Sequence, residues 1–489
     1  MQVTVIIIVV IYMIGMLGVG YFASRRIKNT TDFMVAGRRM GPLLMAGTLA
    51  ATEIGGGSSL GVVEKASNLG SSQWGLSAAW YVLTMGLSFV VLTFLAPKIR
   101  ATEVKTVPEY FRRKYGAAAG VFTSITMFLP LIGLTAGQFM ASATILSVML
   151  GLSWKTSLIA VAVVVTIYAV MGGMWSVAIT DFVQVGLIVL GMLIAIPFAV
   201  NFAGGWEQVA ANVPPETFNL IKGIGGVKAI IALVIMYVAT FTVGQEAVSR
   251  YYSARDGKAA KQGSILAALV NGVYAFIPTI LGIVTLALVN MGKVSSDTVL
   301  SQGARYSLPV LATLTMPAVI VGFLFSGIIS ATMSSADSDL LGAGSIFGND
   351  IYKQFIRKQA SDKEIMRVTQ ITMIIVGGFS LIVAMNATSI IDLLMFSFTL
   401  RAAGAFFPYV IGHYWKKSST AGAIGSLIVG SVVSVIFERK LIPGLTFFGW
   451  EQQTVIPGLV CALIVYIILT LIWPSKRDST DLPSLERQG

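Results

Sequence analysis

Apolar runs long enough to cross a lipid bilayer recur thirteen times along this chain, and no other feature constrains its fold as tightly. A helix needs ~20 apolar residues to span the hydrocarbon core. In lipid every backbone N–H and C=O must find its partner inside the protein, so such runs fold as helices. Read between polar breaks, the runs lie near 3–22, 41–65, 72–95, 119–150, 156–173, 180–200, 226–248, 263–291, 311–339, 368–386, 390–413, 421–437 and 453–473. They predict an all-α polytopic membrane protein of thirteen transmembrane helices. The composition agrees, with 11% charged residues against about 25% in a typical soluble domain.

The basic residues give an independent check on the count. With the amino terminus outside, the loops after odd-numbered spans and the carboxyl tail hold 25 of the 34 Lys and Arg; eight fall on the other side and Arg401 falls within a span. Cytoplasmic loops carry such an excess, so the carboxyl terminus is expected in the cytoplasm. The net charge of +12 therefore reflects sidedness, and no nucleic-acid partner is expected. The first span has no basic n-region or small-residue cleavage site and reads as retained. Connections are short and 474–489 is a brief polar tail, so 1–489 reads as a single membrane domain without a soluble module. The single Cys461 excludes an intrachain disulfide, and the lone His413 beside Lys416 and Lys417 argues against a His/Cys metal site or a Ser/His/Asp hydrolase. No GxxxxGK[ST] loop is present for ATP. Neither an enzyme nor an organic cofactor is expected.

Ionisable residues within a span cost roughly 2.5–3.5 kcal/mol each even on the mildest scale, which makes them functional candidates. They are Glu53, Asp181, Asp337, Asp339, Asp392 and Arg401. Asp392 opens its span and is expected at the interface; Asp339 is expected to be solvated at the cytoplasmic end of the ninth span. In that span Ala331, Ser334, Ser335 and Ser338 share one helical face beside Asp337. Their hard oxygens suit a hard cation of low charge such as Na⁺, although small residues also serve helix packing. In the second span, Gly55-Gly56-Gly57 follows Glu53 directly. Each glycine costs up to ~1 kcal/mol in a helix interior, so the run reads as a break or, alternatively, as a packing face. Unwound backbone at membrane depth offers carbonyls to a cation and N–H groups, such as that of Gly56, to an anionic solute group. Asp181 follows Gly172-Gly173 and reads equally as a helix cap or as part of an ion path. A broken helix facing a hydroxyl stripe suggests a secondary transporter.

Five segments in order resemble the sodium:solute symporter family, which includes sodium/proline, sodium/sugar, sialic acid and pantothenate transporters. They are "DFMVAGRRMGPL" (32–43), "ATEIGGGSSLG" (51–61), "GGMWSVAITDFVQ" (172–184), "GQEAVSRYYSARDGKAAKQG" (244–263) and "SATMSSADSDLL...FGNDIYK" (330–353). The resemblance implies a leucine-transporter-type 5+5 inverted repeat with discontinuous helices. Spans 2–6 (about 41–200) would form one half, spans 7–11 (about 226–413) the other, with spans 1, 12 and 13 peripheral. It implies a monomer in a bacterial inner (plasma) membrane, with a small solute, sodium and lipid as partners. By motif position it places sodium on the carbonyls of Ala51, Ile54 and Ala331 and the hydroxyls of Ser334 and Ser335. Some members hold a second sodium ion; the matching positions are Asp181, Ser334, Asp337 and Ser338. Asp337 stands where those members have a hydroxyl, which leaves the stoichiometry open.

Glu53 falls where proline-transporting members carry aspartate. With Arg401 it is expected either to hold the amino and carboxylate ends of a zwitterion, Gln138 lining the cavity beside them, or to form an internal ion pair with Arg401. The expected function is sodium-coupled symport of an amino acid or related amine or carboxylate by alternating access. Proton coupling on Glu53 or Asp337, a solute sensor and a channel are the competing readings.

Overall fold

The computed structural model describes residues 2–67, 74–295, 303–450 and 452–475. Among them the single sheet-type contact is a bridge between Met40 and Ala254, in which Met40 N–H donates to Ser253 C=O at 3.1 Å and Arg255 N–H to Met40 C=O at 2.9 Å. The rest is helices and their connections. In chain order the principal helices are α1 (Gln2–Ser24), α2 (Pro42–Glu53), α3 (Val62–Ala66), α4 (Ala79–Ala101), α5 (Val107–Tyr115), α6 (Ala117–Leu150), α7 (Trp154–Ala203) and α8 (Gly226–Val243). They continue with α9 (Gln245–Ser253), α10 (Gly257–Tyr274), α11 (Phe276–Asn290), α12 (Ala318–Ser345), α13 (Asp362–Asn386), α14 (Ile390–Gly412), α15 (Thr420–Glu438) and α16 (Val455–Ile472).

Ten helical stretches among the described residues are long and apolar enough to cross a membrane. One, α7, takes in two expected spans; its helix is interrupted at Gly173, where φ of 56° is a conformation that glycine adopts without the strain a Cβ brings. The second expected span does not qualify as one helix because it is broken between α2 and α3. Serine side chains fix several starts: Ser153, Ser361, Ser389 and Ser419 each accept the backbone N–H three residues on, at 3.0–3.3 Å, satisfying an otherwise orphaned donor.

Three features differ from the sequence expectation. Helix α5 lies in what reads as a loop; it is amphipathic, with Val107, Tyr110, Phe111 and Tyr115 buried and Thr106 capping its start. A second broken helix occurs at Gly244, where α8 ends and α9 begins with an extended residue between them (φ −63°, ψ 120°). Asp339, expected in solvent, is 3% exposed, because α12 continues past it, through a π-helical extension, to Ile356.

Packing places the two broken helices in matching surroundings. Helix α2 lies against α7 and α10, while α8 lies against α14 and α4; α12 packs on both α6 and α7. Helices α1, α15 and α16 pack around this core, α1 on α7 and α12, the other two on α14.

Candidate ion and solute site

The break in the second expected span is held open by specific bonds. Gly55 N–H donates to Glu53 C=O at 3.0 Å and to Ser58 Oγ at 2.9 Å, and the Ser58 hydroxyl itself donates to Glu53 C=O at 2.9 Å. Gly56 N–H donates to Gln138 Oε1 at 2.8 Å. Those two N–H groups would otherwise close helical bonds on Ala51 and Thr52. The glycines are there because neighbours come too close for a Cβ. One on Gly55 would meet Ser335 Oγ at 2.6 Å and Gln138 Oε1 at 2.7 Å; one on Gly57 would meet Tyr81 Oη at 2.8 Å.

The freed carbonyls gather about α12. Ser335 Oγ lies 3.0 Å from the Thr52 oxygen, 3.2 Å from that of Ala331 and 3.5 Å from that of Ala51. A hydroxyl has one proton, so a single buried donor is shared between the two freed carbonyls of Ala51 and Thr52 and that of Ala331, which also stands in the α12 helix ladder. Surplus oxygen without donors is what a dehydrated cation requires. Ile54, the fifth expected ligand residue, caps α2 inside the break. Thr52 was not foreseen; it joins because the break turns two successive carbonyls out of the helix.

Ser334 faces another way. Its hydroxyl donates to Asp181 Oδ1, and Thr48 Oγ1 donates to Asp181 Oδ2. Arg250 completes this cluster with Nη2 3.2 Å from Asp181 Oδ2. Asp181 lies roughly two turns past Gly173 within continuous helix, so it does not cap a helix. Arg250, which counts among the loop charges in the sequence, is 0% exposed. Ser338 accepts from Arg250 Nη2 at 2.6 Å, and Asp337 is buried next to it.

At the second break, a Cβ on Gly244 would meet Arg401 Cζ and Glu246 Oε1, both at 2.7 Å. In the ion pair seated there Arg401 Nη1 donates to Glu246 Oε2 at 2.6 Å, while Nη2 lies 2.6 Å from Oε1 without a hydrogen bond among the described residues. Arg401 thus pairs with Glu246 rather than with Glu53. Glu53 is 7% exposed, and its Oε1 has no hydrogen-bond partner among the described residues. The charges that act on it are Glu246, Arg401 and Arg250. Beside it Tyr81 and Tyr237 sit edge to face at 5.7 Å, Tyr237 meets Phe398 at 5.5 Å, and both tyrosine hydroxyls are buried without a hydrogen-bond partner among the described residues. An orphaned carboxylate oxygen and two buried tyrosine hydroxyls thus lie among aromatic faces near the two breaks.

A cavity of about 300 Å³ is lined by Trp74, Leu233, Met236, Asp392, Thr399 and Glu438 among others. Two of its lining residues are joined where Thr399 Oγ1 donates to Met236 Sδ at 3.5 Å, one residue from Tyr237 and Phe398. Asp392 stands at the mouth, exposed, 3.3 Å from Lys65 Nζ. Among the buried residues of α2, α7, α9, α12 and α14, the acids Glu53, Asp181, Glu246, Asp337 and Asp339 outnumber the bases Arg250 and Arg401. Buried acids in excess of buried bases favour cations. Among the described residues no group of three His, Cys, Asp or Glu could hold a metal ion.

Comparisons with known proteins identify the family. The chain is 27% identical to the osmoregulated proline transporter of Bacillus subtilis, over 96% of this chain and 95% of that protein. It is 26% identical to the sodium/proline symporter of Escherichia coli, over 94% and 92%. Its fold is similar to that of a Na⁺-coupled sialic acid symporter solved in a substrate-bound outward-open state, with a TM-score of 0.78 at 20% identity over 97% of this chain and 99% of that one. A nucleobase-cation-symport-1 family transporter follows at a TM-score of 0.54 and 12% identity, covering 90% and 94%. The sodium:solute symporter family profile matches residues 33–430. The chain belongs to the sodium:solute symporter family, and it is a membrane transporter that couples solute movement to sodium.

Proposed function

We propose that this protein carries an amino acid or closely related small amine into a bacterial cell with sodium, by alternating access around a chamber between the two helix breaks. The observation that carries this reading is the gathering of the Ala51, Thr52 and Ala331 carbonyls about the single proton of Ser335. Sodium would sit there, with Ile54 completing the ring and Ser334 linking it to the Asp181 cluster. The solute's ammonium group would lie against the free oxygen of Glu53 and the faces of Tyr81 and Tyr237, a carboxylate and aromatic rings both attracting cations. Arg401 is held by Glu246, so it would reach the solute's carboxylate as one member of a charge pair. Gly56 and Gln138, bonded to each other, would shape the wall. Relatives named as proline transporters make proline the first solute to test.

Thirteen crossings in a 5+5 inverted repeat are supported by the equivalent breaks in the first helix of each half and by the exchanged packing of α2 on α10 and α8 on α4. The excess of basic residues in the loops after odd-numbered spans supports an outside amino terminus. The test is thermal stabilisation of the purified protein across a library of amino acids and amines, with and without sodium. A ligand that binds the native state stabilises by RT ln(1 + [L]/Kd). Proline or a related amine is expected to raise Tm in sodium and to do so far less in potassium or choline; stabilisation by sugars alone, or without sodium, would overturn the proposal.

A further inference from the structure

We propose that the corner formed by Lys98, Lys114 and Lys416 binds the phosphate group of an anionic phospholipid. Three separate elements supply these lysines: Lys98 lies in the last turn of α4, Lys114 in the last turn of α5 and Lys416 in the connection from α14 to α15. His413 ties them to one place, because the charges that act on it are Lys98 and Lys114, and the charge that acts on Lys114 is Lys416. Arg112 and Arg113, beside Lys114, are both engaged by Glu109. Lys98 and Lys114, by contrast, form no ion pair among the described residues. Burial and the Lys416 charge both pull the Lys114 ammonium below its usual value, as expected of a cation held near another without an anion. His413 is 5% exposed and stacks on Tyr110 at 4.6 Å, and neither ring nitrogen has a hydrogen-bond partner among the described residues. A neutral imidazole carries one N–H donor. The corner therefore holds positive charge and donors, and what it lacks is an acceptor.

The same corner is continuous with the lipid-facing surface. On α4, Leu87, Val90, Val91 and Phe94 are 42–75% exposed. Their i, i+3, i+4, i+7 spacing makes one stripe, and Lys98 continues it a turn later. An exposed apolar stripe on a spanning helix lies against acyl chains, and a lysine at its end stands at headgroup depth. Lys98 Nζ lies 3.5 Å from the centre of the Tyr414 ring, and that ring is itself exposed, the amphipathic kind of side chain that collects at the membrane interface. A phosphodiester whose chains run along α4 would meet the charge and the stripe together. Inorganic phosphate would use the charge alone. A zwitterionic headgroup would bring an ammonium of its own to lysines that have no acid beside them. Basic pockets between membrane helices select anionic headgroups on this principle. A lipid held here would join α4, α5 and the α14–α15 connection at one end of the bundle.

Thermal unfolding of the delipidated full chain in detergent, titrated with dioleoylphosphatidylglycerol, tests this. The Tm is expected to rise with lipid, as for any ligand of the native state, and to rise far less with dioleoylphosphatidylcholine or inorganic phosphate. An equal rise with phosphatidylcholine would mean that the chains alone bind, and an equal rise with inorganic phosphate that the corner takes a free anion. Either result, or no rise at all, overturns the proposal. Lys98→Gln with Lys114→Gln is expected to lose most of the phosphatidylglycerol shift, and Lys98→Arg with Lys114→Arg to keep it. Lys258→Gln with Lys261→Gln, two exposed lysines at the start of α10, is expected to leave it unchanged. Equal loss from the two glutamine pairs would reduce the effect to general charge attraction and overturn the site. If the K98Q/K114Q protein is not monodisperse, a phosphatidylglycerol with a photoreactive headgroup decides the matter on the unsubstituted chain: cross-links within 94–98, 110–116 or 413–417 support the site, and cross-links confined to other segments overturn it.

Discussion

Glu53 keeps one carboxylate oxygen unpartnered in the middle of the protein, and a buried, unsatisfied charged group costs several kcal/mol unless something comes to it. Glu53→Gln retains the size and removes the charge. It is expected to weaken solute binding at least tenfold, equivalent to about 1.4 kcal/mol, while sodium-dependent stabilisation persists; isothermal titration with the best solute checks both. Glu246 is the opposite case, a carboxylate already satisfied by Arg401. Removing one partner of a buried pair costs about 3–5 kcal/mol, so Glu246→Gln should lower Tm by several degrees. Glu246→Gln with Arg401→Gln should cost less than the sum of the two single changes, as thermal unfolding of the four proteins will show. Glu53 and Arg401 are legible in the sequence because charges inside apolar runs stand out. Glu246 and Arg250 are not: they lie where an apolar run gives way to "GQEAVSR", the pattern of a span running out into a loop. Their burial comes from partners 155 and 69 residues away, which no local pattern records.

At the scale of the element, both breaks depend on residues small enough to admit neighbours. Gly56 has Ala141 against the place a Cβ would take, whereas Gly15 on α1 has nothing within 4 Å. Gly56→Ala is therefore expected to abolish the sodium-dependent rise in Tm, and Gly15→Ala to leave it intact. The first break is legible because three successive glycines are denser than packing requires. The second is not, since Gly244 is one glycine among polar residues and only the Arg401–Glu246 pair lying over it shows why the backbone opens there. Helix α5 escapes the sequence reading for another reason: nine residues are too few to cross a bilayer, so a search for spans passes over it.

For the whole molecule, one sodium ion moving down 100 mV yields ~2.3 kcal/mol, and a tenfold sodium gradient adds about 1.4 kcal/mol. Together they support a solute gradient of roughly several hundredfold. With a zwitterionic solute and one sodium ion, each cycle moves one net charge. Solid-supported membrane currents should then be inward, and the limiting accumulation should follow the first power of the sodium ratio while each further 100 mV raises it about fiftyfold. Sidedness has its own test. With Cys461 replaced by serine, a cysteine at Lys222 should react with an impermeant thiol reagent in intact cells, and one at Lys358 only after permeabilisation. The general architecture is legible from run lengths and loop charge alone, since the bilayer imposes both.

The backbone bridge between Met40 and Ala254 has a mechanical meaning. It joins Met40, two residues before α2, to the residue after α9, so it fastens together the inner halves of the two discontinuous helices, at the end of the bundle that loop charge places in the cytoplasm. Arg250 adds a second clasp between the same two helices through Thr48. Two hinges whose free arms are yoked in this way cannot swing separately. Opening toward the cytoplasm becomes the tilt of a single lever, which is how two breaks on opposite sides of a chamber can be kept in step.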